Sequence, residues 1–160
     1  MQAPSPLSPP SGTPRPATPL PDLAWLLGAS GLIPFLGLGL GAALGWDELL
    51  FPLLAYGATI LAFLGAVHWG LALQAVPDEK PAERVRLVLG VVPSLVAWVA
   101  LLLPVGTGLA VVAGAILLTA AMETVAAQAR LMPAGYLRLR WVLSLGAALS
   151  LGLGITATGG

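Results

Sequence analysis

Five apolar stretches dominate the chain, at about 23–45, 50–76, 87–104, 107–127 and 137–156, each long enough to cross roughly 30 Å of hydrocarbon as a helix. Inside a bilayer no water is available to the backbone, so a spanning segment must satisfy its own N–H and C=O groups as a helix or in a closed barrel. These runs lack the apolar/polar alternation of barrel strands. The expected fold is therefore all-α: a polytopic membrane protein with five transmembrane helices in one bundle, occupying residues 22–160. Only 9% of the 160 residues are charged and 58% are hydrophobic. Soluble domains carry about 25% charged residues, and a fold of this size in water could not hide so much apolar surface.

The first 21 residues, "MQAPSPLSPPSGTPRPATPLP", hold eight prolines and one basic residue, Arg15. Such a segment reads as a disordered, proline-rich tail. It lacks the charged start, apolar middle and small-residue cleavage site of a secretory signal, so it is expected to persist in the mature protein.

Several functions are excluded or disfavoured by composition. Net charge is zero, so there is no basic field to hold nucleic acid. The absence of cysteine removes disulfides, thiolate metal ligands and thiol nucleophiles. A single histidine argues against a zinc triad or a haem pair, and no metal or cofactor is expected.

With five spans, every basic residue falls on one side. Arg15 precedes the first span, Lys80, Arg84 and Arg86 lie between the second and third, and Arg130, Arg138 and Arg140 lie at the junction of the fourth and fifth, the last two at the fifth's cytoplasmic end. The other side receives Asp47, Glu48 and the uncharged "PVGTG" turn. By the positive-inside rule the N-terminus is cytoplasmic and the C-terminus outside, in the cell inner membrane.

Small residues recur at four-residue spacing: Gly37, Gly41 and Gly45 in the first span, Ala58, Ala62, Ala66 and Gly70 in the second, Gly146, Ser150 and Gly154 in the fifth. Such stripes let helix backbones approach closely, either within the bundle or at a homodimer seam. Pro34 and Pro93 sit in "GLIPF" and "GVVPS" and predict kinks, since each removes an N–H and frees a carbonyl four residues back.

The only histidine, His68, lies within the second span beside Trp69. Gly57, Gly65 and Ala72 share its helix face, so the imidazole is expected to point into the bundle. Glu123 is the acidic residue within the fourth span, at a comparable depth. These two, with Gln74, Arg86 and Gln128 near the same surface, form a candidate polar cluster. Ionisable groups inside a membrane are functional candidates by default, and a carboxyl facing an imidazole shares coupled protons. Trp25, Trp46 and Trp141 lie near span ends as interfacial belt residues. Trp69 and Trp98 lie deeper and are candidate pocket aromatics, with packing as the plainer reading.

The stretches "GLIPF", "YGATILAFLGAVHWGLAL" (56–73), "GVVPSLVAW" (90–98) and "YLRLR" resemble the domain-of-unknown-function 3429 family of bacterial membrane proteins, with which transmembrane protein 69 is grouped. The resemblance spans nearly all of the chain after the tail. It implies a multi-spanning membrane protein without an assigned activity and carries over no catalytic residue. It marks Phe63, Leu64, Gly65, His68, Trp69 and Gly70 in the second span, and Pro93 and Trp98 in the third.

Two functions are weighed, the first as the expectation and the second as its alternative. One is a non-enzymatic membrane protein that assembles with itself or a larger complex through its small-residue faces. The other is an oligomeric small-solute or proton-coupled transporter using His68 and Glu123. An enzyme is not expected, because the sequence holds no Ser-His-Asp set, metal cluster or nucleotide loop.

Overall fold

The computed structural model describes residues 22–73, 80–128 and 134–159, and within these the side chains of 71–73, 80–86, 89, 126–128 and 134–135 are left out. Gln74, the proline-rich tail and Arg130 lie outside the described residues. Five helices follow one another: α1 (Asp22–Ala43), α2 (Leu50–Leu73), α3 (Lys80–Leu101), α4 (Val105–Gln128) and α5 (Ala134–Ala157), with a single 3-10 turn, Asp47–Leu49, before α2.

The chain is an all-helical membrane bundle. By length and composition α1, α2, α4 and α5 can cross a bilayer, while α3 supplies a shorter apolar run, Gly90–Leu101. The helix α3 begins about seven residues before the apolar stretch expected at 87–104. Its start carries Lys80, Glu83, Arg84 and Arg86, so hydropathy marks the lipid-compatible part of the helix and not its end.

Prolines and one glycine punctuate the elements. Pro52 and Pro81 fall in the first turns of α2 and α3, where no N–H is required by the helix. Pro104 accepts the first bond of α4 through its carbonyl, from Gly108 N–H at 2.9 Å. Gly45 ends α1 with φ +94°. Around it, Trp46 N–H donates to Gly41 O at 3.1 Å and Gly45 N–H to Ala42 O at 3.0 Å, the paired bonds of a Schellman cap.

Helix α2 touches each of the other four, most extensively α3, while α1 and α4 both lean on α5. The core between them is built from Phe35, Leu53, Leu61, Leu109, Ile116 and Leu151. Phe35 meets the ring of Tyr56 edge-on, centroids 4.9 Å apart. The Tyr56 hydroxyl donates to Gly31 O at 2.8 Å, beside the carbonyl that Pro34 leaves without its helical donor.

The first small-residue stripe does not act as one face. Gly37 looks outward with nothing within 4 Å of a Cβ placed there, Gly41 abuts Leu49, and Gly45 is the cap. The close approach of α1 to α5 occurs instead at Gly39, where a Cβ would lie 2.7 Å from Ser150 O. Four-residue spacing alone could not select which of Gly37, Gly39 and Gly41 turns toward α5. Two further contacts need glycine: Gly65 against Gly90 O between α2 and α3, and Gly108 against Ala100 O between α3 and α4.

Candidate functional site

The polar residues converge on Glu123. Helix α4 turns it inward along the row that also buries Val112, Ile116 and Ala120, so the carboxylate reaches the centre of the bundle with 1% exposure. Nε2 of His68 comes from α2 to 3.8 Å from Oε1 of Glu123. That distance is an ionic approach and exceeds a hydrogen bond.

A third member comes from α5. Arg140, counted from sequence among the basic residues at the junction of the fourth and fifth spans, is a helical residue only 3% exposed. Its Nε donates to Oε2 of Glu123 at 2.8 Å. One Nη donates to Ser144 Oγ at 2.6 Å and the other to Thr119 Oγ1 at 2.8 Å. The Ser144 and Thr119 hydroxyls in turn donate hydrogen bonds to the carbonyl oxygens of Arg140 and Ile116. A guanidinium cannot shed its charge, so a buried one requires a carboxylate, and Glu123 supplies it.

The two carboxylate oxygens are treated differently. Oε2 accepts from Arg140, whereas Oε1 is buried with no hydrogen-bond partner among the described residues. On the facing ring, Nδ1 of His68 lies 3.3 Å from the carbonyl oxygen of Leu64. A carbonyl can only accept, which favours the tautomer with the proton on Nδ1. In that tautomer Nε2 carries no proton and does not donate to Oε1.

Two cavities flank this network and share no lining residue. One, of about 110 Å³ between α2, α3 and α4, is lined by His68 and Thr119 together with Pro93, Val96, Leu118 and Met122 among others. The second, of about 250 Å³ between α1, α2 and α5, exposes Arg140, Ser144 and Tyr136 within apolar walls. The guanidinium thus connects them, one hydrogen bond reaching each side.

The structure brings His68 and Glu123 together, and Arg140, Ser144 and Thr119 join them where sequence reading had looked to Arg86 and Gln74. Arg86 belongs to α3 with its side chain outside the described residues, and Gln74 lies outside them altogether. The two candidate pocket aromatics lie toward the outside of the bundle. Trp98 is 61% exposed on the outer surface, and Trp69, 45% exposed, lies in a shallow groove with Leu87, Val88 and Val91. Neither lines the cavities beside His68 or Arg140. Lipid contact costs an indole little, so depth along a span does not imply burial. Trp141, read as a belt residue, donates its indole N–H to Thr124 Oγ1 at 2.9 Å and ties α5 to α4.

Comparison with known proteins adds a family. The profile described as "Protein of unknown function (DUF3429)" matches residues 20–156, which takes in all five helices but for Ala157. The chain belongs to the DUF3429 family. Among curated relatives, Transmembrane protein 69 of Xenopus tropicalis is 42% identical over 87 residues, 51% of this chain and 33% of the frog protein. Transmembrane protein 69 of Mus musculus is 35% identical over 85 residues, 51% of this chain and 34% of the mouse protein. The matched region thus spans about a third of the length of these relatives. No solved structure matches this DUF3429 chain.

Proposed function

We propose that this DUF3429 protein is a proton-exchanging membrane carrier that works as an oligomer, with His68 and Glu123 as the exchanging pair and Arg140 as the fixed countercharge. The observation that carries the reading is the unpartnered Oε1 of Glu123, buried 3.8 Å from Nε2 of His68, a residue that lines a cavity. A purely structural ion pair gains most when both carboxylate oxygens are hydrogen-bonded, because an unsatisfied buried acceptor costs about 1–3 kcal/mol. Arg140 holds one oxygen and so sets the orientation of the other. Five helices are few for a complete pathway, which is why the reading includes oligomerisation. The proposed setting is the inner membrane, N-terminus cytoplasmic and C-terminus outside, with no catalysis.

The test is proton flux in proteoliposomes, read with an entrapped pH-sensitive dye under an imposed potassium diffusion potential. The wild type should conduct above protein-free vesicles, and His68→Ala and Glu123→Gln should fall to the vesicle background. Equal flux in all three proteins, or none in the wild type, overturns the reading.

An assembly role is the second reading, favoured by one observation: Gly37, Gly70 and Gly114 have open space above them and meet no neighbour within the described bundle. Crosslinking in native membranes that yields only a monomer would refute it.

A further inference from the structure

The geometry points to the 250 Å³ cavity between α1, α2 and α5 as a binding site for a membrane-soluble molecule with an apolar body and a neutral carbonyl oxygen, which Arg140 would hold. The hollow has a local cause. Gly31, on its α1 wall, has only the Tyr56 hydroxyl near the position of a Cβ, at 3.9 Å. Exposed Leu27 and Phe63 form part of the rim, so the mouth opens to the hydrocarbon rather than to water. At 1.5 Å per residue, its α5 wall from Tyr136 to Ala147 runs for about 16 Å along the helix. A ring with a short tail, or the carbonyl end of an acyl chain, matches that shape, whereas drug-sized ligands fill larger cavities of about 300–1,000 Å³.

The polar end is specified by charge and by donors. Arg140 has five N–H groups, and three are spent on Glu123, Ser144 and Thr119. Two have no acceptor among the described residues, although the side chain is only 4% exposed. The Ser144 hydroxyl also reaches this cavity, but its proton is spent on the Arg140 carbonyl. An anionic head would compete with Glu123 for the guanidinium and bring a second carboxylate-like charge to one buried cation. A neutral acceptor completes the donor set without disturbing that balance. The inference goes beyond the carrier reading and does not need it, since His68 lines the other cavity.

Two sources share this chemistry, a quinone and the ester carbonyl of a diacyl lipid, and the experiment separates them. The full chain is placed in nanodiscs of ether-linked phospholipid, which lack ester carbonyls, and exposed to a diazirine-bearing decyl benzoquinone. Adducts are mapped by peptide mass spectrometry. Saturable labelling of the segments around Leu27 and Leu143 is expected, and a diazirine-bearing alkane of equal length should label them at least tenfold less. Repeating the experiment in ester-linked lipid identifies the source: undiminished labelling assigns a quinone, and suppressed labelling assigns the lipid ester.

Gly31→Leu should fill the hollow and reduce labelling at least tenfold while the thermal midpoint stays near wild type. His68→Ala, which abolishes flux on the carrier reading, should label as wild type does. Equal labelling by the alkane, no saturable labelling in ether lipid, or labelling unchanged in Gly31→Leu overturns the inference.

Discussion

Glu123 and Arg140 differ in how they can escape a lost partner, and that asymmetry is measurable. Arg140→Met keeps an apolar side chain of similar length and removes three hydrogen bonds, to Glu123, Ser144 and Thr119. Two of the three, to Glu123 and Thr119, cross from α5 to α4, and with cross-helix hydrogen bonds in membrane bundles averaging about 0.6 kcal/mol they account for roughly 1 kcal/mol. The stranded carboxylate can take up a proton and become neutral, which limits the further loss. Glu123→Met strands a guanidinium that has no such exit, and breaking a buried pair from one side costs about 3–5 kcal/mol. The double variant removes both charges and should lie within about 1 kcal/mol of the wild type, as buried pairs replaced by apolar residues often do. Reversible unfolding in mixed micelles gives all three values. The reasoning fails if the two single losses simply add in the double variant, or if Arg140→Met proves costlier than Glu123→Met.

Packing makes further predictions. Gly65→Ala puts a methyl group onto the Gly90 carbonyl, which as backbone cannot turn aside, so α2 and α3 must separate at a cost of about 1–3 kcal/mol in the same unfolding assay. Gly37→Ala, in open space on a helix, should stabilise by up to about 1 kcal/mol. Trp98→Ala on the outer surface should change stability by less than about 0.5 kcal/mol, and a loss above 2 kcal/mol would show that the indole has a protein partner.

Long apolar runs made the helices and the bundle legible in the sequence, because a bilayer leaves a polar backbone so few solutions. The meeting of His68 with Glu123 was accessible too, from the small residues on each face and the similar depth of the two side chains. Arg140 was not. It stands in "YLRLRWVLSL", where alternating arginines resemble the charged border of a span. The structure shows Arg138 exposed and Arg140 buried. The available signal was the helix wheel: Arg140, Ser144, Ala147 and Leu151 recur at three- and four-residue steps, and all are buried. A similar wheel would have placed Gly39 rather than Gly37 against α5, had the partner helix been known. Single-helix periodicity identifies a face, but which neighbour that face meets is a property of the assembled bundle.

The buried position of Arg140 also bears on topology. Positive residues orient a membrane protein by staying in the cytoplasm as the loops are sorted, and a guanidinium neutralised inside the bundle no longer belongs to that set. Removing it from the seven leaves Arg15, Lys80, Arg84, Arg86, Arg130 and Arg138, all on the same side of the proposed five-span arrangement. Orientation should therefore be insensitive to Arg140 even though stability is not. A reporter fused after Gly160 should read outside in both the wild type and Arg140→Met, whereas Arg84→Glu combined with Arg86→Glu should produce a mixed population. Inversion by Arg140→Met alone would mean that this charge reaches the cytoplasmic surface during insertion and contributes to topology before it is buried.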